Sequence, residues 1–145
     1  MKRFNLRCYA IIINDQNELL LSDEFRNSQA FTKLVGGGLK WGEGTKMCLQ
    51  REIKEELNID ASIGELYYVN DFFQQSAFNE EEQLLSFYFK IKTIDFEKIK
   101  IENHMYPLTE NGEKFRWQKM SHLHPDDVTF PIDKIVIQKL LESNN

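Results

Sequence analysis

Residues 37–59 read GGLKWGEGTKMCLQREIKEELNI and join a glycine-rich segment to a strongly patterned helix. Leu49, Ile53 and Leu57 recur at i, i+4 and i+8, a spacing that places one apolar stripe toward a core. The pattern predicts a helix over residues 45–57. The rest of the chain is therefore interpreted outward from this helix and the glycines before it.

Polar residues stand at both predicted ends of the helix. Thr45 is suited to cap the first turn with its hydroxyl group. Asn58 follows the last apolar position, and Asn is the commonest substitute for Gly at a left-handed C-terminal cap. Upstream, five of the nine residues 36–44 are glycine, which indicates a loop with special backbone geometry.

Three carboxylates share one face of the predicted helix. At about 100° per residue, Glu55 lies near −60° and Glu56 near +40° from Glu52. Like charges at this spacing cost a few tenths of a kcal/mol per pair, so the cluster needs a counter-charge. Mg²⁺ prefers such oxygen ligands, and Gly37 or Gly38 could add a backbone carbonyl. A solvated acidic face is the ordinary alternative for an isolated cluster of this kind.

The spacing of these residues resembles the Nudix box, G-x5-E-x7-R-E-U-x-E-E-x-G-U, in which U is aliphatic. Its fixed positions correspond to Gly37, Glu43, Arg51, Glu52, Ile53, Glu55, Glu56, Asn58 and Ile59. Asn58 departs from the pattern because the family has Gly there. Outside the box, Val35 stands where the family usually has Pro, and Phe115-Arg116-Trp117 before a closing helix also resembles Nudix domains.

The resemblance implies an α/β/α sandwich around a mixed β-sheet. It also implies hydrolysis of a nucleoside diphosphate linked to another moiety, a small-molecule substrate. In that picture Glu52, Glu55 and Glu56, with Gly37, hold one or more Mg²⁺ ions, or Mn²⁺, which neutralise the diphosphate and lower the pKa of an attacking water.

The resemblance gives Arg51 and Glu43 the task of orienting these ligands. An ordinary helix-surface ion pair with Glu55, four residues on, is the alternative for Arg51. The family's general base varies: Glu52 is the first candidate here, and loop glutamates follow. These loop candidates are Glu110, Glu113, Glu80, Glu81 and Glu82.

The remaining pattern predicts mostly strands, within a single domain over residues 1–145. Strands are predicted at residues 6–14, 18–22, 31–35, 65–73, 83–92 and 115–120, and a last helix at residues 131–142. The segment at residues 96–111 is ambiguous. Phe72 and Phe73 end a predicted strand, and core packing is the ordinary expectation for both rings.

Composition narrows the functional classes. The net charge of −5 and pI of about 5.3 argue against strong nucleic-acid binding through a basic surface. The longest apolar run, residues 9–13, is far short of a membrane helix, and residues 1–10 lack a signal-peptide core. Cys8 and Cys48 are predicted to be buried free thiols, as suits a reducing cytoplasm. We therefore expect a soluble cytoplasmic protein.

Two alternative functions on the same scaffold stay open at this stage. One is a catalytically weak Nudix-like domain that senses a nucleotide sugar or ADP-ribose, although a pure sensor has no need for every carboxylate. The other is an isomerase of a prenyl diphosphate, for which Cys48 is wrongly placed. The pattern leaves the exact substrate and the oligomeric state open, and a homodimer is common in the family.

Overall fold

The computed structural model describes residues 1–143. Within them lie seven strands and two α-helices: β1 Arg3–Ile11, β2 Glu18–Arg26, β3 Gln29–Lys33, β4 Val35–Gly38, α1 Thr45–Leu57, β5 Ala61–Val69, β6 Glu82–Ile94, β7 Gly112–Lys119 and α2 Pro131–Ser143. The chain divides into two compact units. The first contains residues 1–11 and 35–95, and the second contains residues 12–34 and those from 96 onward.

The first unit is a four-stranded mixed sheet in the order β4-β1-β6-β5, covered by α1. β1 runs parallel to β6, whereas β4 and β5 pair antiparallel with their neighbours. The apolar stripe of α1 packs on the sheet: Leu49 and Ile53 are fully buried and Leu57 is nearly so. Burying such side chains stabilises the unit by about 1.5–3 kcal/mol each before entropy is counted.

The second unit is a three-stranded antiparallel sheet in the order β3-β2-β7, together with α2. Its strands bury a charged cluster as well as apolar side chains. The Asp23 carboxylate accepts hydrogen bonds from Arg116 Nε at 2.8 Å and Thr32 Oγ1 at 2.6 Å, and His104 Nε2 lies 2.7 Å away. These partners compensate the cost of burying a carboxylate.

Helix α1 has the predicted bounds, but its first cap was predicted wrongly. The N-cap residue is Gly44, and Thr45 is the first helical residue, so its hydroxyl does not cap the helix. The other end is confirmed: Asn58 adopts the left-handed conformation at φ 57° and ψ 34°, and its N–H donates to the Lys54 carbonyl at 3.0 Å. The last helix, α2, also has nearly the predicted bounds.

The strand prediction over residues 31–35 is wrong because two strands meet there. β3 ends at Lys33, β4 begins at Val35, and the two belong to different sheets. The glycines that follow are not loop residues as predicted. Gly36, Gly37 and Gly38 lie in β4 and pair with β1, so the backbone hydrogen bonds of a sheet hold them.

The strand predicted at residues 65–73 starts and ends earlier, as β5. The buried Asn70 turns the chain there, because its side-chain amide donates to the carbonyls of Phe72 and Leu84. Phe72 and Phe73 therefore lie outside the sheet and are exposed, contrary to the expectation of core packing. A local apolar pattern cannot show a turn that depends on a partner 14 residues away.

The mixed α/β class with a mixed sheet is confirmed, and so are the two free, buried cysteines. The single domain over residues 1–145 stays a prediction. Among the described residues, neither helix has the length and apolar character that crossing a membrane requires.

We expect Asn58→Gly to leave stability nearly unchanged, because both residues tolerate the left-handed cap. Asn58→Val should lose about 1–2 kcal/mol, since a β-branched residue is strained at positive φ. Asn58 is exposed, so lost packing does not enter the comparison. Urea melts of both variants measure the difference, and a Val variant as stable as the parent would contradict this account of the cap.

Candidate active site

The guanidinium group of Arg51, midway along α1, is the hub of the first unit's polar cluster. Nε and Nη2 form a two-pronged ion pair with the Glu43 carboxylate, and Nη2 also donates to the Gly38 carbonyl at 2.9 Å. Nη1 donates to Glu52 at 2.8 Å and to Glu55 at 3.2 Å. All five N–H groups of the side chain thus have acceptors. The cluster includes the helix-surface pair with Glu55, which was the alternative for Arg51, but extends to Glu43, Glu52 and the Gly38 carbonyl.

Electrostatics within this cluster are strongly coupled. The hydrogen bonds from Arg51 lower the pKa of Glu43 to about 2, and those same bonds to Glu43, with the bond to Glu52, raise the pKa of Arg51. Glu43 is also fixed from its own loop, because the Lys40 N–H donates to its carboxylate at 2.9 Å. Both groups therefore keep their charges across the physiological pH range.

Gly37 brings the backbone of β4 against the carboxylate of Glu52. A Cβ atom at Gly37 would lie 2.5 Å from Glu52 Cδ and Oε2, which is closer than such atoms approach. The Glu52 side chain is held there with 15% of its surface exposed. A glycine is thus required for this close approach. The Gly37 backbone and the Glu52 carboxylate form an oxygen-rich corner where β4 meets α1.

Two contacts in this corner were missed by the sequence analysis. The backbone N–H of Gly36 donates to Glu56 Oε2 at 3.1 Å, which ties a third carboxylate of α1 to β4. The Cys48 thiol lies 3.5 Å from the Gly38 carbonyl oxygen. The run of glycines at residues 36–38 could have indicated the contact between Gly36 and Glu56. Nothing local in the sequence distinguishes Cys48 from an ordinary core residue.

The structure brings the predicted site residues of the first unit together. Glu43, Arg51, Glu52 and Glu55 are joined directly, and Glu56 and Gly37 contact the same junction of α1 and β4. Among the three carboxylates that pair with Arg51, that of Glu55 is the most exposed, with 53% of the side chain accessible. Whether they hold a metal stays a prediction.

The loop glutamates occupy different places. Glu82 begins β6, where its carboxylate pairs with Arg3 and accepts from Asn5. In the strand register Glu82 faces Arg3, whereas Gly37 faces Cys8. Five residues of strand separate these positions, or about 16 Å, so Glu82 lies far along the sheet from Gly37.

The remaining loop candidates lie outside α1 and β4. Glu80 and Glu81 are exposed in the turn before Glu82. Glu110 and Glu113 belong to the second unit, where Glu113 lies in β7 and accepts a hydrogen bond from the Ser22 hydroxyl at 3.3 Å. Within the first unit, Glu52 is the predicted base that Arg51 contacts directly.

A family model of the NUDIX domain matches residues 4–139 of the chain. The chain belongs to this family. A curated relative is the NAD-capped RNA hydrolase NudC of Vibrio atlanticus (strain LGP32), which is 33% identical over 55 residues. That match covers 38% of this Nudix chain but spans about a fifth of the length of NudC.

Solved structures agree on the fold. The E. coli ORF135 protein superposes with a TM-score of 0.74 at 18% identity, over 99% of this chain and 92% of ORF135. The MutT protein of Methanosarcina mazei Go1 gives 0.73 at 19% identity, over 99% of this chain and 97% of MutT. At such identities the likeness shows the fold, and the α/β fold implied by the Nudix box is confirmed.

We expect Gly37→Ala to fold but to displace the Glu52 carboxylate, because the added Cβ meets the end of a flexible side chain. Pyrophosphohydrolase activity of the variant should fall at least about tenfold, since Glu52 is predicted to be catalytic and a displacement of about 1 Å at such a group is costly. Melting temperature and a substrate assay measure the two effects.

Gly38→Ala is the matched control. Its added Cβ would be 3.7 Å from the nearest atom, Arg7 Nη1, an ordinary contact. If Gly38→Ala lost as much activity as Gly37→Ala, the contact between Gly37 and Glu52 would not be the cause.

Proposed function

We propose that this Nudix protein is a Mg²⁺-dependent hydrolase that cleaves the diphosphate bond of a nucleoside diphosphate linked to another moiety. The observation that supports this most is the Glu52 carboxylate pressed against the Gly37 backbone and fixed by Arg51. A solvated acidic face would not need a glycine at that contact. Arg51 fixes the Glu52 carboxylate, while the side chain of Glu55 stays about half exposed.

The oxygen donors present fit a hard divalent cation. Such ions bind through a few carboxylates and keep places for substrate phosphates. Glu52 and Glu56 both contact β4 where the Gly37 carbonyl lies, and Glu55 is on the same helix face. We propose that these four residues hold Mg²⁺, with Mn²⁺ as an alternative. The ion would neutralise the diphosphate and lower the pKa of an attacking water.

The other proposed roles are orientation of the carboxylates and acceptance of the proton from water. Arg51 and Glu43 keep the carboxylates oriented, because the hydrogen bonds from Arg51 lower the pKa of Glu43 and keep both groups charged at physiological pH. Glu52 accepts the proton as water adds to phosphorus and the bond to the leaving phosphate breaks. We favour Glu52 as this base since it is fixed from two sides, whereas Glu80 and Glu81 are exposed in a turn.

The sensor alternative is not favoured, because the full set of box carboxylates is present and held together. The substrate is best identified with a panel of dinucleotides, nucleotide sugars and modified nucleoside triphosphates. An NAD-type dinucleotide belongs in that panel because the relative NudC is an NAD-capped RNA hydrolase. Cytoplasmic location and a homodimer are further proposals, supported by the free thiols and by the family respectively.

Glu55→Gln and Glu56→Gln should each lose most Mg²⁺-dependent turnover while the fold survives. Each change removes ligand charge, and the glutamine amide keeps an oxygen that can accept from Arg51 or Gly36, so metal-free stability should stay nearly unchanged. Product analysis and thermal melting with and without Mg²⁺ measure both effects. Lys54→Gln, exposed on the same helix, is the control and should stay active. Near-parental hydrolysis in both Glu variants would rule out the metal assignment.

The identity of the base is tested by a second set of variants. Glu52→Gln should lower kcat by several orders of magnitude. Glu110→Gln, Glu113→Gln and a triple Gln variant of Glu80, Glu81 and Glu82 should each keep most activity. A loop variant that loses about 10²-fold in kcat with unchanged Mg²⁺ dependence would transfer the role to that loop.

A further inference from the structure

The Cys48 thiol sits inside the first unit at the point where α1 meets β4, and it is fully buried. Its Sγ lies 3.5 Å from the Gly38 carbonyl oxygen and 4.0 Å from that of Gly37. Arg51 Nη2, which also donates to the Gly38 carbonyl, approaches the same sulfur at 3.7 Å. Cys48 thus contacts both the strand and the guanidinium group that organises the cluster.

The partners of Cys48 settle the direction of its weak hydrogen bonds. A carbonyl oxygen can only accept, so the Cys48 S–H is the donor to Gly38. A guanidinium N–H can only donate, so the Cys48 sulfur accepts from Arg51. Cys8, the other buried thiol, lies on β1 as the register partner of Gly37.

The backbone that Cys48 contacts has little stiffness of its own. Gly36, Gly37 and Gly38 follow one another, and glycine populates a wide range of backbone angles. Among residues 1–143, β4 is moreover an edge strand, with β1 beside it on one side and no strand on the other. The Gly38 carbonyl accepts from Cys48 and Arg51, so these side chains add to the pairing with β1 in fixing its direction.

We propose that Cys48 is a positioning residue for the metal site: its thiol and Arg51 together fix the Gly38 peptide, and with it the adjacent Gly37 carbonyl. This inference rests on the proposed function. An ordinary core cysteine would contribute volume only, and in that case Cys8 and Cys48 would be equivalent. The two thiols differ in one respect that matters, since the Gly38 carbonyl and Arg51 contact Cys48.

The test compares Cys48→Ala, Cys48→Ser and Cys8→Ala as full-length, metal-free proteins. Mn²⁺ binding is measured by titration calorimetry, and stability by thermal melting. We expect the Kd for Mn²⁺ to rise about threefold to tenfold in Cys48→Ala, the effect of a weak buried hydrogen bond. Cys48→Ser keeps a donor and should recover part of the loss. Cys8→Ala should lose similar stability, with its Kd within about twofold of the parent.

Equal Kd values in Cys48→Ala and Cys8→Ala would overturn the proposal, and so would a Cys48→Ser variant no better than Cys48→Ala. If Cys48→Ala does not fold, Cys48→Val fills the space without a donor and replaces it in the comparison with Ser. A parent protein that binds no Mn²⁺ would refute the metal assignment itself, and this proposal with it. The two failures are therefore distinguishable.

Discussion

The ion pair between Arg51 and Glu43 is the interaction on which the rest of the site depends. It joins the middle of α1 to the loop before the helix, and the other N–H groups of Arg51 then reach Glu52, Glu55 and the Gly38 carbonyl. A guanidinium group can serve all of these acceptors because its five donors lie in one rigid plane. The positive charge also offsets the repulsion that three carboxylates on one helix face would otherwise cause.

The second constraint is steric, and it explains why glycines stand beside this cluster. α1 approaches β4 so closely that a Cβ atom at Gly37 would overlap the Glu52 carboxylate, and β1 approaches β4 so closely that one at Gly36 would overlap the Cys8 carbonyl. A substitution would therefore have different effects at the two positions. A side chain at Gly36 would clash with backbone atoms and disturb the sheet, whereas one at Gly37 would clash with the Glu52 side chain and disturb the site.

The sequence patterns predicted correctly those features that depend on residues close together in the chain. The bounds of α1, the left-handed cap at Asn58 and the shared face of the carboxylates all follow from residues within a few turns of one another. The break at Leu34, which sends β3 and β4 to different sheets, depends on pairing with distant strands. Likewise the buried cluster around Asp23 needs partners 81 and 93 residues away, so the periodicity of β2 cannot indicate it.

Arg51→Lys tests the central claim most directly, because lysine keeps the charge and removes the five-donor fork. The measurement is kcat/KM with Mg²⁺ on the best diphosphate substrate of the panel, with Arg3→Lys at the far end of β1 as the control. We expect Arg51→Lys to lose about 10²-fold or more while Arg3→Lys is unaffected. An Arg51→Lys variant within about threefold of the parent would contradict the account, since charge alone would then suffice.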